Sequence, residues 1–172
     1  QIHRESKIPE SAVKVTQETD VSQVRSHSNE YDSPVPVVGS INTAGAEDSA
    51  FILPDGNTMY FFFTPDVQVP VEEQLSDHVT GIYVSEKINN VWQEPGRIVL
   101  QDRGKLSLDG CLFVLADQGW FCTTREGYAG MHWATVQKEG GLWQDWQVND
   151  FPEEYEVGEL HISNNSKTLY FH

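Results

Sequence analysis

The sequence predicts an all-β fold of short antiparallel strands, and two observations carry that expectation. An apolar and aromatic pattern recurs three times around turns of Asp, Asn or Gly, and no segment shows the 3.6-residue period of an amphipathic helix. Aromatic residues mark where the folded part lies: of 8 Phe, 5 Trp and 6 Tyr, only Tyr31 precedes residue 44. Residues 1–30, polar with isolated valines, read as a linker or tail with little surface to bury. Ser11 and Lys14 have the spacing of a Ser/Lys acyl-enzyme motif, but its partner motifs are missing and the match reads as coincidence.

The elements follow in order. Residues 51–61, Phe-Ile-Leu-Pro-Asp-Gly-Asn-Thr-Met-Tyr-Phe, read as strand, turn and strand. Residues 64–77 carry two prolines and four acids, and are expected as an inserted loop between the second and third strands rather than another strand. Residues 82–94 give a second strand–turn–strand unit ending near Trp92. The pair of units then repeats. Residues 112–121 form a weaker copy of the first hairpin, and residues 132–145, with Trp143 at the place of Trp92, copy the second. Residues 161–171, His-Ile-Ser-Asn-Asn-Ser-Lys-Thr-Leu-Tyr-Phe, restart the first hairpin with Asn165 at the place of Asp55.

Spacing decides the architecture. Asp55, Asp117 and Asn165 recur at intervals of 62 and 48 residues, and the inserted loop accounts for most of the difference. Four short antiparallel strands in a repeat of about 50 residues describe a β-propeller blade. The expected layout is blade one at about 44–100, blade two at about 104–150 and the start of blade three at about 157–172. A ring takes at least about four blades, so a partial propeller is expected, its remainder supplied by further sequence or by a second copy.

Charge narrows the partners. The 172 residues carry 26 acids against 11 Lys and Arg, a formal net of -15. Nucleic-acid and anionic-membrane surfaces need clustered cations, so neither is expected as a partner. No apolar run approaches the 18 or so residues that span a bilayer, so no membrane insertion is expected. Cys111 and Cys122 flank a turn without falling opposite each other, which reads as two free thiols in the core. No His/Cys/Asp set has a metal-ligand spacing and no Gly-rich phosphate loop is present, so no cofactor or metal is expected; His132 and His161 read as packed or solvated.

The Pro-Asp-Gly hairpin at 54–56, the loop 123–130 leading into a strand, and the Gly-Gly-Leu-Trp turn ending at Trp143 together resemble the WD-like β-propeller repeats of TolB-type bacterial envelope proteins. The segment 31–43 is similar to the outer strand and crossover of the same repeat, so the resemblance covers residues 31–172. It implies a periplasmic or extracellular bacterial module that binds a protein or glycan, and is specific for fold rather than activity.

Each expected inner strand is preceded by or begins with an acid, Asp48, Asp109 or Glu159, and a repeat would carry these towards one mouth of the channel. There they contact a ligand, or in the alternative reading act as the paired carboxylates of a glycoside hydrolase. Repeated acids also serve as structural caps, which is the plainer reading. Arg125 and Glu126 on the next loop, Trp146 at the place of Pro95, and His161 complete the ligand-binding candidates; Arg125 is equally read as a partner for a nearby acid, and Trp92 and Trp143 as packing. The expected function is a non-catalytic module binding a protein or glycan, with the 64–77 loop as a further contact. Catalysis is the alternative.

Overall fold

A computed structural model describes residues 3–22, 27–100, 105–155 and 157–172. Parts of the expected tail and the expected start of blade two at residue 104 lie outside the described residues. The chain is all-β and every strand pairing within its sheets is antiparallel.

Sheet one holds β1 (Ala46–Ile52), β2 (Thr58–Thr64), β3 (Gly81–Ile88) and β4 (Val91–Trp92) in that order, with β5 (Gly96–Arg97) also on β3. Pro95, which has no N–H to give a ladder, lies between β4 and β5 and splits the outermost strand. Sheet two holds β6 (Ser107–Leu115), β7 (Gln118–Arg125), β8 (Met131–Glu139) and β9 (Leu142–Val148), in sequence order. A last hairpin pairs β10 (Leu160–Ile162) with β11 (Leu169–Phe171). The 64–77 insertion makes one helical turn, α1 (Val71–Gln74), and Asp77 then accepts the Val79 and Thr80 N–H groups at 2.6 and 2.7 Å as β3 begins.

Turn chemistry repeats in the first and last hairpins. Asp55 Oδ1 accepts from Asn57 N at 2.7 Å and Leu53 N donates to Thr58 O at 2.9 Å; Asn165 Oδ1 accepts from Lys167 N at 3.1 Å and Ser163 N donates to Thr168 O at 2.9 Å. The left-handed position is Gly56 in one hairpin, φ 69°, and Ser166 in the other, φ 57°. On the third strand of sheets one and two Lys87 N reaches Asn57 O and Lys138 N reaches Asp117 O, each at 2.7 Å. Both lysines lie over the indole opposite them, Lys87 on Trp92 at 5.0 Å and Lys138 on Trp143 at 5.4 Å.

Apolar faces meet in three layers. Tyr60, Ile82, Leu100, Leu112, Phe121 and Val136 fill the space between the two sheets. Phe113, Cys122, Trp133, Val157 and Leu160 join sheet two to the last hairpin. The far face of sheet one, with Met59, Phe61, Phe63, Tyr83 and Trp92, is covered by Ile41 and Ile8.

Two expectations need correction here. The tail was expected to bury little, yet Arg4, in a 3-10 turn at Arg4–Lys7, is only 2% exposed. Its guanidinium donates to the carbonyls of Ser40 and Ile41 and to Glu47, and lies 5.1 Å from the Phe63 ring and 5.6 Å from that of Phe61. A planar cation with five donors closes an aromatic face that needs both stacking and carbonyl partners. The lead-in outer strand reduces to a single parallel bridge between Gly39 and Trp92. Pro34 and Pro36 lack ladder donors, and Gly39 adopts φ 124°, leaving only Trp92 N to Val38 O and Ser40 N to Trp92 O.

Candidate functional site

The strands β1 and β6 carry the same irregularity at the same place in the repeat. Pairing passes from Asp48↔Phe62 to Phe51↔Tyr60 in one, and from Gly110↔Cys122 to Phe113↔Trp120 in the other. The bulge residues Ser49 and Cys111 have φ of 51° and 53°, a conformation costly for residues with a Cβ and typical of strands bent to re-aim side chains. The bend gathers three equivalent rings: Phe51, Phe113 and His161, with centroids 4.9 Å apart for Phe51–Phe113 and for Phe113–His161, and 6.5 Å for Phe51–His161.

Above these rings lies a polar cluster. Ser49 Oγ donates to Glu159, whose other oxygen is 3.5 Å from His172 Nε2. The carboxylates of Glu159 and Asp48 both bear on the Cys111 thiol. Glu159, Asp48 and His161 therefore share one region, and Asp48 is exposed there.

Asp109 departs from the expected convergence. Counted from the turns, its equivalent is Glu47 rather than Asp48, and a one-residue offset along a strand sends a side chain to the opposite face. Asp109 is 5% exposed; its Oδ1 accepts from Arg125 Nη2 at 2.8 Å and from Thr123 Oγ1 at 2.6 Å. Burial pushes its carboxyl above the ordinary aspartate range, and the Arg125 guanidinium works against that rise. Glu47 makes the matching set with Arg4 and Thr43. Arg125 in turn lies 5.1 Å from the Trp146 ring, and Tyr128 meets the same indole edge-on at 5.8 Å. Asp109, Arg125 and Trp146 are thus tied into one packed unit, with Trp146 half-buried rather than free at the rim. Glu126 is exposed and accepts from Leu106 N at 3.4 Å, bracing the loop.

A second surface was not anticipated from the sequence. Gln118, Thr135, Gln137, Gln147 and Asn149, with Asp145 and Trp146, line a shallow recess of about 490 Å³ on sheet two. Strand β8 signals it: Thr135 and Gln137 alternate with the buried Ala134 and Val136, so one face of the strand turns polar. Amide side chains both donate and accept, which suits hydroxyl-rich ligands, while the Trp146 indole turns to the other face, against the core between the sheets and Arg125.

Among the described residues no group of three or more His, Cys, Asp or Glu could hold a metal ion, and no helix is long and apolar enough to cross a membrane. No family model matches the chain, and neither the curated proteins nor the solved structures contain a match to it.

Proposed function

We propose that the chain forms part of a β-propeller that binds a glycan or a protein partner without catalysis, in the bacterial periplasm or outside the cell. The amide-lined recess beside Trp146 carries the binding reading. The burial of Asp109 against Arg125 supports a structural role for the repeated acid, because a buried carboxylate already held by Arg125 and Thr123 is out of a substrate's reach. The repeated turns, bulges and Lys–Trp pairs support blades as the repeating unit. Tyr170 and Phe171 stand 60% and 46% exposed where their equivalents Tyr60 and Phe61 are each 2% exposed, which is the surface a further strand and sheet would cover.

Tryptophan fluorescence against a panel of neutral oligosaccharides and muropeptides tests the glycan form. A saturable change is expected, weakened about tenfold or more by Gln137→Ala and by Gln147→Ala. No saturable response across the panel overturns it. The second reading, glycoside hydrolysis by Asp48 and Glu159, rests on the exposure of Asp48 and the Ser49–Glu159 hydrogen bond next to it in the chain; turnover of chromogenic glycosides that is lost in Asp48→Asn or Glu159→Gln would favour it over binding alone.

A further inference from the structure

The bulge in β6 brings together two thiols that strand register keeps apart. Cys122 pairs with Gly110, yet the left-handed turn at Cys111 swings its side chain across, so that Cys122 Sγ donates to Cys111 Sγ at 2.8 Å. Both cysteines are free; Cys111 is partly exposed and Cys122 is 8% exposed. The two thiols are thus preplaced on neighbouring strands, one facing outward and the other behind it.

We propose that Cys111 and Cys122 form a redox-active dithiol, oxidised to an intramolecular disulfide by small neutral or cationic disulfides. Cys111 is the entry point. Its sulfur is the reachable one, and the hydrogen bond from Cys122 stabilises its thiolate, while burial and that neighbouring thiolate hold the Cys122 proton in place. The Cys111 thiolate attacks one sulfur of an external R–S–S–R, breaking that bond and releasing R–S⁻, which takes up a proton. Cys122 then loses its proton and attacks Cys111 Sγ, and the second R–S⁻ leaves. Two protein thiols lose two electrons and two protons, and one external disulfide becomes two thiols. Glu159, held by Ser49, and Asp48 bear electrostatically on Cys111 and Asp109 bears on Cys122, so the field around the pair is negative and repels anionic disulfides such as oxidised glutathione.

The test exposes the folded, reduced protein to 2-hydroxyethyl disulfide and follows intact mass and free-thiol count. Both thiols are expected to disappear together, with the monomer losing the mass of two hydrogens and keeping no adduct. Cys122→Ser is expected to trap a mixed disulfide on Cys111, and Cys111→Ser to leave Cys122 unreacted while folded. A wild-type protein that accumulates mixed adducts, or whose thiols survive conditions that consume them in the unfolded chain, overturns the proposal. That readout stands even if a variant fails to fold. At low salt cystamine is expected to oxidise the pair about tenfold faster than oxidised glutathione, a gap that closes as salt is raised; faster reaction with glutathione would overturn the charge assignment.

Discussion

Buried Arg–carboxylate pairs sit at matching points of sheets one and two. Arg125 answers Asp109 from the adjacent strand, whereas Arg4 answers Glu47 from 43 residues away. Removing one partner leaves an uncompensated charge in a low-dielectric site, so Arg125→Met is expected to destabilise the fold by about 3 kcal/mol in urea titrations. A loss under 1 kcal/mol would mean that Asp109 is solvated. Tyr83 shows another face of burial. Its hydroxyl donates to Val79 O at 2.8 Å, and desolvation pushes the phenol from 10.0 up to about 12. The folded value lies above the unfolded one, so this contribution is intact below about pH 10 and lost as pH rises towards 12. Ultraviolet titration should find a tyrosine that ionises only near pH 12, and Tyr83→Phe should remove that step. His132 and Asp150 bond at 2.8 Å, which raises the imidazole and lowers the carboxylate. The histidine's share is present below its unfolded value of 6.5 and fades as pH climbs through the raised one; the aspartate's is present above 3.8 and fades as pH falls through the lowered one. The melting-point gap between wild type and His132→Gln is therefore expected to be widest near pH 5 and to shrink at pH 8 and pH 2, and a flat gap would remove the pair from the stability of the fold.

At the scale of elements, turns and edges separate what was legible in the sequence from what was not. The hairpins could be read because Asp55 and Asn165 signal a turn through their own side chains. The bulges could not, since Ser49 and Cys111 are ordinary strand residues and their left-handed backbone is imposed by the neighbouring strand. The misplacement of Asp109 followed, as an offset of one residue changes the face of a strand without changing its composition. Arg4 was hidden for another reason: a lone cation in a polar segment carries no mark of the aromatic surface it will meet. The recess beside Trp146 was half visible, in the polar alternation of β8 but not in the partners that Gln147 and Asn149 bring from across the sheet. Two substitutions probe this level. A Cβ at Gly39 would lie 2.1 Å from the Trp92 carbonyl oxygen, so Gly39→Ala should cost about 2 kcal/mol or more and detach the 38–40 segment in hydrogen exchange. Ser166→Gly relieves a left-handed residue and should slow exchange in the last hairpin, gaining about 0.5–1 kcal/mol.

Across the whole molecule, three apolar layers stack side by side, and the two outer ones are finished differently. On one side residues 3–8 and 41 cover sheet one. On the other, β11 has no further strand beside it among the described residues, and this edge is flanked by the rings of Tyr155 and Phe171, which meet at 5.8 Å. Such an edge templates strand addition. Phe171→Lys is expected to suppress concentration-dependent association in sedimentation runs with little change in melting point, and unchanged association would place the contact elsewhere. The covered side imposes an order on synthesis. Residues 3–8 leave the ribosome long before their dock exists, because Phe61, Phe63 and Tyr83 must first be assembled into a sheet. Arg4 thus acts as a late clasp: nascent chains halted before residue 83 clears the exit tunnel should leave it open to proteases, and chains halted after residue 100 has cleared the tunnel should protect it.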